Sequence, residues 1–300
     1  MNVFAQHVTT GIDVSDRKLR LVRLQRKYGS TLLHAFAELD LPEGVVQAGV
    51  VINPDIFVQA LKELPKRVVG SHWPTHSVHV GLPEQLAFMT TVTIEDGDKD
   101  AAEEVAKQSI PLSEEEMYYD ISTVRLAKTI SLAAARRDRI DQLLAQFDAA
   151  NYEVVGLHVE SEAIARALLP QPLSKAPVSL IIDIGAARTS VCLVARGSIH
   201  FTVSYPSVLS SGSLQDQSLA GVARQALLYT QEHFGQHGAI EQFVLAGSGA
   251  AIPQIDQWLN QVVQLPVQIG NPLLHIKANH ISKKLTVPAP FATAIGLALV

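Results

Sequence analysis

Cysteine is nearly absent: Cys192 stands alone in 300 residues, so no internal disulfide can staple the fold. It lies in an apolar run, where a thiol serves as a small core residue, and a chain without disulfides suits a reducing cytosol. Charge is sparse as well. Only 18% of residues are charged, the net charge is −5 at pH 7, and no segment interleaves Lys and Arg with aromatics, so a nucleic-acid partner is not expected. Long hydrophobic runs are also missing. The longest uncharged apolar stretch, Val287 to Val300, falls short of the roughly 20 residues that span a bilayer. The N-terminus has no basic region leading into an apolar stretch, as a signal peptide would. These absences predict a soluble, cytoplasmic chain, and any link to a membrane must run through a partner.

What is present is apolar mass. With 47% hydrophobic residues over this length, the chain can bury a sizeable core and divide into two domains. The organising stretch runs from Ser179 to Val194: a buried strand ending in Asp183, a Gly185-Ala186-Ala187 turn, and a second strand from Thr189. An acid at a strand end followed by glycine suits phosphate and metal. Gly185 can take positive φ and bring N–H groups toward a phosphate, and Asp183 can hold a water on a bound metal. The pattern occurs once more, from Thr9 to Leu24, with Gly11, Asp13, Ser15, Asp16, Arg17 and Lys18 around the turn. Two such hairpins half a chain apart suggest a duplicated domain. A third stretch, Phe243 to Pro253, carries Gly247, Ser248 and Gly249 between a strand and a helix.

Read in order, Thr9 to Leu39 forms an antiparallel meander. A helix starts at Asn53-Pro54 and carries Ile56, Phe57, Ala60, Leu61 and Leu64 on one face. From Ser77 to Val159 the pattern strand, helix, strand, strand, helix, strand reads as an inserted split-βαβ lobe. Ser161 caps a short helix, and the stretch 170–177 forms an extended, proline-rich linker. A second domain spans 178–288, with a long helix from Leu214 to Phe234, and the apolar tail 289–300 packs as a helix back on the first domain, 1–169.

These motifs resemble the actin/Hsp70/FtsA nucleotide-binding fold. Gly11-Ile12-Asp13-Val14, Ala134-Ala135-Arg136-Arg137, Asp183-Ile184-Gly185-Ala186, Leu245-Ala246-Gly247-Ser248-Gly249-Ala250, Asn271-Pro272 and the closing Ala294-Ile295-Gly296-Leu297-Ala298-Leu299 resemble, in family order, the PilM family of type IV pilus and competence-pseudopilus machines. The resemblance implies an α/β, ribonuclease H-like, two-domain fold with an FtsA-type inserted subdomain. It implies ATP with Mg2+ held by Asp13, Ser15, Arg17, Lys18, Asp183, Gly185, Ala186, Thr189, Gly247, Ser248 and Gly249, with Asp13 and Asp183 acting through Mg-bound water. The implied partner is the cytoplasmic N-terminal tail of a PilN-like membrane protein, docked between the first subdomain and the lobe. That places the chain peripherally at the inner membrane, and self-association is a further expectation. Three departures stand out: Asp16, Arg17 and Lys18 replace a run of Gly and Ser; Arg188 replaces a hydroxyl residue; and Ser210-Ser211-Gly212-Ser213 replaces a Gly-Gly pair.

Two function classes follow: a scaffold for a peptide tail, with or without nucleotide, and an active ATPase or sugar kinase. No substrate-side catalytic base stands in a recognisable motif. Glu160 and Glu162 are the candidates for positioning water, weighed against a solvated helix start where acids suit the dipole. His72, His76 and His79 lie close in sequence but read as surface histidines. Arg136 and Arg137 read as a solvent-facing pair or an acid-binding one. Tyr118 and Tyr119 alternate on a strand, so one faces outward and can join a peptide groove.

Overall fold

The computed structural model describes residues 7–71, 76–94, 98–124, 128–206, 217–235 and 238–300. The chain begins with β1 (His7–Val14), β2 (Lys18–Lys27) and β3 (Ser30–Asp40), the hairpin β4 (Val46–Gln47) and β5 (Val50–Val51), then α1 (Pro54–Glu63), β6 (Val69–Gly70) and β7 (Ser77–Leu82). It continues with β8 (Ala87–Thr93), α2 (Lys99–Gln108), β9 (Met117–Val124), β10 (Thr129–Arg136), α3 (Arg137–Ala149), β11 (Glu153–Val159) and α4 (Glu160–Leu168). The remainder supplies β12 (Ser179–Ile184), β13 (Arg188–Ala195), β14 (Ser198–Pro206), α5 (Gln217–Phe234), β15 (Gln242–Ala246), α6 (Ile255–Val263), β16 (Val267–Ile269) and α7 (Ala292–Ala298). These fall into two compact units. One holds Met1–Leu86, Arg137–Leu168 and Asn271–Val300, the other Ala87–Arg136 and Leu169–Gly270.

The first unit is built on a six-stranded sheet of order β11-β7-β1-β2-β3-β6. Successive positions of β1 and β2 are buried, among them Ile12, Leu19, Leu21, Val22 and Leu24, because both faces of the central strands are covered. α1 starts where the Asn53 side chain accepts the Ile56 N–H at 3.2 Å with Pro54 in the first turn. Phe57, Leu61 and Leu64 are buried but Ile56 is exposed, so the buried stripe is narrower than the sequence periodicity predicts. Phe57 meets Phe147 of α3 edge-to-face at 6.1 Å. α7 lies against β1, β2, β7 and α4, and two glycines permit this approach. A Cβ on Gly11 would strike the Ala294 carbonyl and lie 2.6 Å from Leu297 Cβ, and one on Gly296 would strike the Ala163 carbonyl.

The stretch 77–159 does not form a lobe of its own. β7 pairs in parallel with both β1 and β11 inside the six-stranded sheet, and α3 packs beside α1. The reason is burial: Val78, Val80 and Val159 belong to a parallel sheet interior, a requirement that a local element pattern cannot register. The separate sheet has three strands, in the order β8-β10-β9. It is covered by α2, with Ala102, Ala106, Ile110, Met117, Ile130, Leu132 and Ala134 as its core. This small layer belongs to the second unit, where the Thr91 hydroxyl donates to the Ile199 carbonyl at 2.8 Å.

The second unit's main sheet has the order β14-β13-β12-β15-β16. It repeats the first. In each unit an antiparallel meander of three strands (β1-β2-β3, β12-β13-β14) is followed by two strands parallel to its first (β7 and β11, β15 and β16). A helix precedes each added strand: α1 and α3 in one unit, α5 and α6 in the other. The duplication read from the two acid-tipped hairpins is therefore one of topology. Two local readings need correcting. The linker is not extended throughout, since Leu173–Lys175 makes a 3-10 turn. The segment from Asn271 groups with the first unit, tied by the Lys277 N–H to the Thr31 carbonyl at 2.8 Å. α5 is described only from Gln217, so the expected start at Leu214, like His72 and Ser210 to Ser213, lies outside the described residues.

Candidate functional site

The β1–β2 turn gathers Asp13, Ser15, Arg17 and Lys18, and its polar groups are already committed to partners within the unit. The Ser15 hydroxyl donates to the Lys18 carbonyl at 3.0 Å and accepts the Lys18 N–H at 3.1 Å. Asp16 turns toward the β4–β5 hairpin, where its carboxylate accepts the N–H groups of Ala48 and Gly49 at 3.1 and 3.2 Å. Arg17 pairs with Glu43 at 2.9 Å, and Lys18 with Glu38 at 2.6 Å and Asp40 at 2.9 Å.

Asp13 is buried, at 5% exposure. Its Oδ2 lies 3.4 Å from Nη1 of Arg20, whose Nε donates to Glu38 at 2.8 Å. Burial raises the Asp13 carboxyl above its ordinary range, against the opposing pull of Arg20. Burial also works against ionisation of Glu38, but Lys18 and Arg20 overcome it and hold that carboxyl below its ordinary range. Sequence reasoning missed Arg20. The available signal was a cation near the start of a strand, flanked by Leu19 and Leu21 and sharing its face with Val22; a strand apolar on both faces draws such a cation into the interior, where it requires an anion beside it.

In the second unit Asp183 pairs in register with Ser190 of β13 and Ala246 of β15. Gly185 closes the turn by donating its N–H to the Arg188 carbonyl at 2.8 Å. The reason for glycine here is space rather than positive φ, since a Cβ would sit 2.8 Å from that same carbonyl oxygen. The positive φ lies instead at Gly247, at 79°. A Cβ there would strike Asp183 Oδ1 and come within 2.6 Å of the Ile184 carbonyl. Asp183, Gly185 and Gly247 are thus brought together, with exposed Ala186 and Ser248 at the rim. Gly249 is buried in the 3-10 turn Ser248–Ala251. Thr189 is fully buried, which keeps its hydroxyl off the solvent side of the turn. Arg188 Nε reaches the Ser204 hydroxyl at 3.4 Å.

A further buried acid, Glu84, unread in the sequence, stands beside Glu160 and Ser161 at the start of α4. Glu84 accepts the Ser161 N–H at 2.9 Å, and its other oxygen is sealed from solvent. Burial pushes this carboxyl up, opposed by hydrogen bonds from Ser161 and Glu160. Of the histidines, His79 is not a lone surface group: its Nδ1 lies 3.0 Å from Nε2 of His158 on the neighbouring strand. No group of three or more His, Cys, Asp or Glu side chains able to hold a metal occurs among the described residues. Tyr119 receives the Lys107 ammonium over its ring at 5.0 Å, and Tyr118 and Tyr119 are both exposed. No helix among the described residues is long and apolar enough to cross a membrane.

Comparison with known proteins places this architecture. A solved structure described as the PilM-PilN type IV pilus biogenesis complex matches with a TM-score of 0.80 at 21% identity, covering 97% of each chain. The ethanolamine utilization protein EutJ from Carboxydothermus hydrogenoformans matches at 0.58 and 15%, over 99% of this chain and 91% of that one. MreB5 of Spiroplasma citri, bound to ADP, matches at 0.52 and 10%, over 97% and 94%. These likenesses establish an actin-like α/β fold. The family model for the type IV pilus assembly protein PilM matches residues 11–204, from the first acid-tipped hairpin through the meander of the second unit, and this chain therefore belongs to the PilM family.

Proposed function

We propose that this chain is the cytoplasmic, actin-like scaffold of a type IV pilus inner-membrane assembly, holding the N-terminal tail of a PilN-like membrane protein without needing ATP. The observation that carries the reading is the family match over residues 11–204. Support for the partner comes from the matching PilM structure, which was solved as a complex with PilN. A membrane link through such a partner agrees with the lack of a spanning helix among the described residues.

The first hairpin fits Mg-ATP poorly. Arg20 already stands against Asp13, the acid expected to reach Mg2+ through water, and the Ser15 hydroxyl, Arg17 and Lys18 are all bonded within the unit. A phosphate would have to displace these partners before gaining its own. We therefore take the chain as a scaffold rather than a working ATPase or kinase. The Asp183–Gly247 cradle and the ADP carried by MreB5 favour nucleotide binding as the second reading.

For the tail we propose β9. Among the described strands it pairs only with β10, so its outer edge can accept an extended peptide as an added strand beside Tyr118 and Tyr119. Calorimetric titration with a PilN-like N-terminal peptide, with and without Mg-ATP, tests both parts. Peptide binding of unchanged affinity with no heat from ATP is expected. Micromolar ATP binding that alters peptide affinity would overturn the nucleotide-free reading, since such coupling is reciprocal. Amide exchange with bound peptide should show protection along Met117–Val124, and protection elsewhere alone would remove β9 as the edge.

A further inference from the structure

The first unit contains a pocket of about 580 Å³, within the range of small-molecule sites, lined from β2, β3, the end of β6 and the segment 279–284. Among the residues lining it are Gln25, His34, Ser71, Asn279, His280 and Lys284. Three features of the chain build it. First, β3 carries a bulge: Arg23 pairs with Ala35 and Leu24 with Leu33, leaving His34 as the extra residue, and such bulges re-aim side chains near functional sites. Second, Gly70 has a φ of 120°, and a Cβ there would lie 2.5 Å from the His34 carbonyl, so only glycine lets the chain fold over the bulge. Third, the segment from Asn279 to Ser282 is locked as the other wall. Asn279 Nδ2 donates to the Leu33 carbonyl at 2.8 Å, and its Oδ1 accepts the Ser282 N–H at 2.7 Å.

The charge of this pocket runs against the chain as a whole. The protein carries more acids than bases, yet none of the described lining residues is acidic, and Lys284, His280 and His34 stand together. Behind them is Arg23, 3% exposed, which reaches the Ser71 carbonyl at 3.4 Å. Its Nε and the Nδ1 of His34 are buried without hydrogen-bond partners among the described residues. A buried guanidinium without a carboxylate leaves an uncompensated positive field. Leu32, Leu33 and Ile281 supply an apolar wall beside it.

We infer that this pocket binds a small organic anion, a phosphate or carboxylate group on a compact apolar body, seated against Lys284, His280 and His34. Its lining includes none of the residues of the two acid-tipped turns and none of β9. Burial, with Arg23 as the lesser cause, lowers the protonation of His34 from its ordinary value, so a bound anion should draw it back up.

The test is titration of the intact protein with inorganic phosphate and, separately, benzoate, at constant ionic strength with chloride as the control, observing the His34 and His280 ring resonances. A saturable shift with either anion, a higher His34 pKa at saturation, and roughly tenfold weaker binding in Lys284→Gln are expected for a charge-assisted contact. Saturation by phosphate alone would identify a phosphoryl head, and by benzoate alone a carboxylate. Lys284 is exposed, so an unchanged thermal midpoint should show that the variant folds. Shifts that match those in chloride, fail to saturate, or persist unweakened in Lys284→Gln would overturn the assignment.

Discussion

Arg20 reaches in two directions from the start of β2: Nη1 lies 3.4 Å from the buried Asp13 carboxylate and Nε donates to Glu38 at 2.8 Å. This guanidinium joins the first hairpin to β3 and gives the buried Asp13 carboxylate a positive partner from within the chain. Removing one member of such a pair leaves a charge buried without compensation.

Arg20→Met should therefore cost about 3–5 kcal/mol of stability at neutral pH. The double variant Asp13→Asn with Arg20→Met should recover most of it, since no bare charge remains. Urea denaturation of the two variants decides the matter: equal losses in both would mean that Arg20 acts by packing alone.

Gly247→Ala sets a side chain into a left-handed backbone at φ 79° and into contact with Asp183. Strain of this kind costs about 1–3 kcal/mol, and the clash adds to it. A lowered melting temperature is expected, with backbone shifts in the Asp183–Gly185 turn by NMR. A variant with unchanged stability and shifts confined to residue 247 would show that the two segments do not meet.

At Gly296 two effects oppose each other. Alanine should favour α7 by about 1 kcal/mol through helix propensity, but its Cβ would collide with the Ala163 carbonyl on α4. Because that obstacle is backbone, the helices must separate, and overpacking of this type costs about 1–3 kcal/mol or more. Net destabilisation of Gly296→Ala is the expected result, and a raised melting temperature would contradict the packing.

Glu84 makes a prediction about pH. Its carboxyl is raised from the ordinary value of 4.5 by burial, so the folded state retains a proton that the unfolded state has lost. Stability should fall as pH climbs above about 4.5, until the folded group also ionises. Glu84→Gln removes this contribution, so its stability relative to the parent should rise between pH 4.5 and 7. Parallel melting curves for the two proteins across that window would count against a buried, protonated Glu84.

Much of the fold is legible locally. The alternation of Leu19, Leu21 and Ile12 with polar neighbours, the Asn53-Pro54 helix start and the glycine after Asp183 each act within a few residues, and the structure keeps both the three-stranded meander and the start of α1 at Asn53-Pro54. The candidate site is less legible. Ser15, Arg17 and Lys18 are the side chains that a phosphate would want, but their availability depends on Glu43, Glu38 and Asp40, up to 26 positions along the chain, and sequence spacing alone does not pair them.

What the sequence determined by itself was the duplication, the absence of disulfides and the family, because strand periodicity, composition and ordered motifs are carried by the covalent chain. Only the tertiary structure decided that Ser77–Leu82 and Glu153–Val159 enter the main sheet rather than a lobe, that Arg20 faces Asp13, and that Gly247 rather than Gly185 takes the positive φ. Each of these rests on which distant group shares a buried site. Desolvation charges every buried polar or charged group for its lack of a partner, and partners are chosen by the folded backbone, not by the order of residues.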